Sequence, residues 1–273
     1  MKAKLQIVLR YFSKFGYKPT LEEVYTFFPI KISKNRLKSY LDKEYRYTVG
    51  GYRNKFKVQS SKFKISLTKI ARVGKYLNFI SRFPQIRLIG LSGSVAMLNA
   101  KKTDDVDLFI ISTKNRIWTV RFIVIINAWL LGLKRSRKEK DASNKVCLNL
   151  FFSESSLKID KKLQTEYMAH EVLQMMPIMD SNKTYRRFLH HNDWILKFFP
   201  NVQLKRYYPD HTSLIKCGLK TEGAFSLGAI GNGIEFLLKA LQLAYMSKPQ
   251  GDERIEKGQL WFHPRDYGRI VGE

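Results

Sequence analysis

The segment LIGLSGSVAMLNAKKTDDVDLFIIS, residues 88–112, decides how this chain is read. It opens inside an apolar run, Ile86 to Leu91, short and bounded by small residues, which predicts a buried strand. Ser92-Gly93-Ser94 ends that strand, and Val95 to Ala100 has the composition of a short helix. Gly93 lets the backbone come close to a ligand, and the first free amides of the helix point at it, the arrangement that holds phosphate groups. Asp105-Val106-Asp107 then runs into Leu108-Phe109-Ile110-Ile111 as a second predicted strand.

Alternation along that strand places Asp105 and Asp107 on one face and sends Val106, Leu108 and Ile110 into the core on the other. At about 3.3 Å per residue the two carboxylates are roughly 6 to 7 Å apart at the backbone. They can therefore share one divalent ion, or bridge a pair about 3.5 to 4 Å apart of the kind used in phosphoryl transfer. Magnesium suits such donors, with manganese as the alternative. Asp104 has the opposite parity and reads as a residue that starts the strand. An Asp-x-Asp at the start of a strand is also a common turn and cap; the glycine-serine turn at this interval is what makes it a candidate site.

A Gly-Ser turn, ten intervening residues and an Asp-hydrophobic-Asp strand together resemble the signature of the nucleotidyltransferase superfamily typified by DNA polymerase beta. The likeness covers roughly residues 85–153. It implies that Gly93 and Ser94 contact the triphosphate of a nucleotide and that Asp105 and Asp107 bind catalytic metal. Lys101 and Lys102, in the loop between helix and strand, could add charge beside that triphosphate, although exposed loop lysines are more often simply solvated. The run KVCLNLFF, residues 145–152, is the expected third core strand, where active members of the family carry a third acid. Asn149 stands at the position of suitable parity. An asparagine can offer a carbonyl to a metal but cannot serve as a base, so Asn149 is expected to hold geometry, with Glu154 past the strand end as a substitute carboxylate.

The formal charge of +26 over 273 residues is unevenly spread: residues 1–87 carry 21 Lys and Arg against 4 acids. A charge of this sign attracts polyanions, nucleic acid above all, although a lysine-rich composition can also simply coat a surface. With 44% hydrophobic residues the chain is globular. Two cysteines, Cys147 and Cys217, cannot build a disulfide framework or a four-ligand zinc site, and Cys147 reads as a small core residue. The apolar run after the basic start is too short for a signal peptide. Ile117 to Leu133, interrupted by Arg121 and Asn127, reads as a buried helix rather than a membrane span. A reduced, cytoplasmic protein is expected.

The basic first third divides into elements. Residues 3–15 place Leu5, Val8, Leu9 and Phe12 on one helical face, stopped by Gly16. Thr20 and Glu23 form a capping box opening a second helix that Pro29 closes, and Ser33 caps a third helix from Lys34 to Leu41. Two aromatic and basic runs around Gly50-Gly51 predict a hairpin. Three short helices and a basic hairpin are similar to the winged helix-turn-helix modules of many bacterial regulators. Lys34, Arg36 and Lys38 would sit on the recognition helix, and Arg46, Arg53, Lys55 and Lys57 on the wing, against DNA or RNA. Such a module can also be a packing unit with no nucleic acid.

The later segments are less diagnostic. A connector from 63 to 84 is predicted helical from Ile65 to Ile80, and Lys134 to Lys140 is a charged loop. Leu163 to Met176 and Thr184 to Phe199 read as amphipathic helices, and Ile234 to Met246 as a last one. His170-Glu171 lacks the second histidine of a zinc-protease helix, since residue 174 is Gln174. His263 and Asp266 lie in a tail that can fold back on the core. Taken in order, SGSVA, DVDLFII, IWTVR, CLNLFF, AHEVLQMMP and FHPRD resemble a group of bacterial nucleotidyltransferase-domain proteins with an N-terminal winged helix.

The expected fold is α+β: a winged helix over 1–62, the connector, a polymerase-beta-like core with a small mixed sheet over 85–160, and a helical region over 161–273. The expected function is transfer of a nucleoside monophosphate from a nucleoside triphosphate to a hydroxyl of RNA, protein or a small molecule, with magnesium. The alternative is a winged-helix DNA-binding regulator whose second domain only senses a nucleotide.

Overall fold

The computed structural model describes residues 1–44, 61–134, 143, 145–207, 209, 230–246 and 254–262. The chain is mixed α/β, built on a six-stranded sheet of order β4-β1-β2-β3-β6-β5. Its strands are β1 (Ile86–Ser92), β2 (Val106–Ser112), β3 (Val146–Ser153), β4 (Met176–Asp180), β5 (Arg254–Glu256) and β6 (Gln259–Trp261). Among the described strands only β2 and β3 pair parallel; every other neighbour pair is antiparallel. The parallel pair needs a crossover, and the apolar helix α6 (Ile117–Leu130) supplies it.

Both faces of the sheet are covered, which is why β1 and β2 are apolar almost without a break. One face, with Val106, Leu108 and Ile110, packs against α4 (Ser61–Ile80), α6 and part of α9 (Ile230–Tyr245). The other, with Phe109, Ile111 and Phe152, packs against α7 (Glu166–Gln174) and α8 (Thr184–His191). The N-terminal helices α1 (Lys2–Lys14), α2 (Leu21–Thr26) and α3 (Lys34–Glu44) share that second core through Leu5, Phe12, Val24, Phe28, Leu37 and Leu41. The capping box of α2 forms as predicted. Thr20 Oγ1 accepts from the Glu23 amide at 3.2 Å, and Glu23 Oε2 accepts from the Thr20 amide at 2.7 Å; such a cap contributes about 1 kcal/mol.

The segment expected to be helical after residue 160 contains three strands as well. Helix α7 ends at Gln174, and Met176–Asp180 becomes β4 on the outer side of β1. Pro177 is tolerated there because β4 is an edge strand. The hairpin β5-β6 extends the sheet beyond β3, with Trp261 opposite Leu150. The wing residues Arg46, Arg53, Lys55 and Lys57, most of the 134–140 loop, Cys217, His263 and Asp266 lie outside the described residues.

Candidate functional site

Three chain segments meet at one end of the sheet. Ser92 at the end of β1 is opposite Asp107, and Asp107 is opposite Cys147 at the start of β3. Gly93 follows with φ +63°, and a Cβ there would lie 2.8 Å from Asp107 Oδ2. Two independent demands thus select glycine: a left-handed backbone and a carboxylate in van der Waals contact. The turn leads straight into α5 (Gly93–Ala96), a single turn that starts two residues earlier than the composition suggested.

The loop between turn and strand is tied down by a residue the sequence reading gave only a local role. Asp104 Oδ2 accepts from Ser94 Oγ at 2.7 Å and from the Lys101 amide at 2.9 Å, so it links the loop to the turn. From the opposite layer, the buried Lys69 donates Nζ to the carbonyls of Lys102 at 2.8 Å and Asp104 at 2.5 Å. Lys69 was missed, although its place on the apolar stripe of α4, between Ser66 and Val73, was the available signal. The side chains of Lys101 and Lys102 are exposed.

On β3 the register with β2 slips by one residue: Leu108 pairs with Leu148 and Phe109 with Leu150, leaving Asn149 as the extra residue of a bulge. Bulges re-aim side chains. Here Asn149 Nδ2 donates to Asp107 Oδ1 at 3.0 Å, while Asn149 Oδ1 accepts from Cys147 Sγ at 2.8 Å. Cys147 is therefore not the core residue expected from the apolar run around it. It is half-buried on the same face as Asp107, because the strand's apolar character comes from covering on both sides and hides its parity.

Asp105, Asp107 and Cys147 each offer a donor atom, all within 4.8 Å of one another, the one such group of three among the described residues. Two carboxylates and a thiol at that spacing fit a single divalent cation. The thiol is a softer donor than the carboxylates and extends the range of suitable metals from hard magnesium and manganese toward zinc. Glu154, by contrast, lies beyond the far end of β3. Its carboxylate accepts from the Lys114 amide and pairs with Arg87 at 3.7 Å and Arg187 at 3.3 Å. It does not replace Asn149.

A second acidic group faces this side of the sheet. Glu171 of α7 lines an apolar cleft with Ser92, Phe109, Met168 and Trp261. Burial pushes its carboxyl up to about 7, against a hydrogen bond with Tyr167 that lowers it. Beside it, His170 is buried and stacked on Tyr11, ring centroids 3.5 Å apart, with Phe27 at 4.4 Å. Burial holds its pKa well below the usual histidine value. It is a core residue that joins α7 to the N-terminal helices, in agreement with rejecting a zinc-protease helix.

On α3, Arg36 and Lys38 are exposed beside the buried Leu37, and Lys34 pairs with Glu22 of α2. No helix among the described residues is long and apolar enough to cross a membrane. No protein-family model, curated protein or solved structure matches the chain.

Proposed function

We propose that the chain is a metal-dependent nucleotidyltransferase of the DNA polymerase beta type, moving a nucleoside monophosphate from a triphosphate to an acceptor hydroxyl. The single observation that carries this reading is the closeness of Gly93 to Asp107. The bend between β1 and α5 touches the strand-borne carboxylate that a phosphate-bound metal would need. Asp105 and Asp107, with Cys147 beside them, would hold the ion, which supplies charge neutralisation for the phosphates. The amides after Gly93 would hold the triphosphate, and Lys101 and Lys102 would meet its outer charge. Ser94 contributes through the loop it ties to Asp104. Asn149 is a positioning residue: it fixes one oxygen of Asp107 and leaves the other turned toward Gly93.

In this reading α1 to α3 form the helical part of a winged helix. Arg36 and Lys38 would then be available to DNA or RNA phosphates. The amide at position 149 favours a second reading, a nucleic-acid-binding regulator whose site binds nucleotide without transfer. Incubation of the purified chain with α-labelled triphosphates and magnesium or manganese tests both. Transfer that vanishes in Asp105→Ala and Asp107→Ala supports the enzyme. Metal-nucleotide binding without transfer supports the regulator.

A further inference from the structure

Helix α9 is amphipathic the wrong way round for a surface helix. Two of its polar side chains, Glu235 and Gln242, point into the protein, while Asn232 and Lys239 are exposed. Glu235 caps the start of α6, accepting from the Trp118 and Thr119 amides at 2.9 Å each and from Thr119 Oγ1 at 2.7 Å. Gln242 donates to the Trp118 carbonyl at 2.9 Å and accepts from Arg121 at 2.5 Å. Its outward face is apolar: Phe236 is 75% exposed, Tyr245 85%, and Leu237 and Leu241 57% each. The exposed Ala240 and Ala244 fall between them, one turn apart, leaving grooves beside the large side chains. On the neighbouring α6, Trp129 and Leu130 are also exposed, at 63% and 66%, on the side away from the sheet.

At about 200 Å² for a large apolar side chain, the four exposed side chains of α9 leave on the order of 550 Å² in water, and Trp129 and Leu130 add about 250 Å² farther along α6. Single folded chains seldom leave more than about 300–600 Å² of contiguous apolar surface in water. A stable dimer of standard size buries about 800 Å² on each partner. The charge pattern selects the occupant. Of the sixteen residues of α9 only Lys239 and Glu235 are charged, and Glu235 is spent on α6. A helix that lies on an anionic lipid surface instead carries a row of Lys and Arg beside its apolar face. The basic helices α1 to α3 pack on the opposite side of the sheet, whereas α4, with Lys64, Arg72 and Lys75, lies on this side, so vesicle flotation belongs to the test.

We propose that the outer face of α6 and α9 is a self-complementary interface, occupied by the same face of a second copy of this chain. The test is sedimentation of the 273-residue chain, nuclease-treated, at about 50 µM, above the micromolar limit expected for an interface of this size. It is run at about 0.15 and 0.5 M NaCl, and again with Leu237→Glu and Leu241→Glu combined. The wild type is expected to sediment at twice the chain mass, undiminished at the higher salt because apolar contact drives it and salt screens the repulsion between two basic chains. The double variant is expected to be monomeric, with an unchanged melting temperature under dilute conditions where the wild type is also monomeric.

Four results would overturn the proposal. One is a monomeric wild type, whatever the melting temperature of the double variant; a lower one means that the chain covers its own stripe. Another is a monomer that floats with anionic vesicles through the same residues. A dimer that dissolves at high salt and a dimer that survives the double substitution would do so equally.

Discussion

Gly93→Ala is the substitution whose consequence follows most directly from the geometry. Alanine at φ +63° costs about 1–2 kcal/mol in backbone strain alone. Its methyl would also sit 2.8 Å from Asp107 Oδ2, so the carboxylate has to swing away and surrender the 3.0 Å hydrogen bond from Asn149. A hydrogen bond to a charged group contributes about 1.5–3 kcal/mol, which brings the expected loss to roughly 2.5–5 kcal/mol, or about 5–20 °C in melting temperature for a chain of this size. The two parts separate in a double-mutant cycle. In an Asp107→Ala background there is no carboxylate to displace, so the same glycine substitution should cost only the backbone strain. Denaturant unfolding of the four proteins measures this, and manganese titration of the same samples should show that Gly93→Ala weakens metal binding nearly as much as Asp107→Ala. An equal cost of Gly93→Ala in both backgrounds would refute the contact, and with it the reason for the glycine.

Four further predictions concern the surroundings of the site. Asn149→Asp places a carboxylate against Asp107, so the metal-free protein should be less stable by about 1–3 kcal/mol, while manganese affinity rises; calorimetry with and without metal distinguishes the two effects. Lys69→Met removes both donors that hold the 102–104 loop and leaves two carbonyls without them, which should cost about 2–4 kcal/mol and loosen manganese binding, read by melting and titration. Glu171, with a pKa raised from 4.5 to about 7, binds its proton more tightly folded than unfolded. Stability from this group is complete below about pH 4.5 and is lost as pH rises through 7, by on the order of 3 kcal/mol. Glu171→Gln should flatten that decline in a pH series of urea melts. His170, held neutral by burial, works in the other direction: stability falls as pH drops below 6.5, where the unfolded chain takes up a proton that the folded chain resists. His170→Phe keeps a ring between Tyr11 and Phe27 and should abolish the acid-side loss in the same assay.

The parts of this architecture carried by local chemistry were legible in the residues. The capping box at Thr20, the glycine bend at 93, the closeness of Asp107 on β2 to Asp105 just before it and the crossover helix from Ile117 all depend on near neighbours in sequence. What was not legible depends on partners far along the chain. The length of helix α7 was overestimated because Met175 and Met176 continue an apolar pattern equally compatible with helix and strand, and only pairing with β1 settles it. The hairpin at 254–261 is too short to announce itself, and gains its partner from β3. Cys147 was placed in the core because a strand covered on both faces erases the alternation that would show its side. Asn149 was expected to hold the site's geometry, but its donation to Asp107 depends on a bulge that no periodicity reveals. Lys69 and Glu171 come to the site from other layers, 30 or more residues away, where spacing carries no information about them.

The central claim is that the glycine bend and the paired aspartates form one metal-nucleotide site. Its most direct test is calorimetric titration of a non-hydrolysable nucleoside triphosphate, with and without manganese, into the wild type and Asp107→Asn. Wild-type binding is expected to require the metal and to be weakened at least tenfold, about 1.4 kcal/mol, by the substitution. Binding that ignores both the metal and the substitution would contradict it.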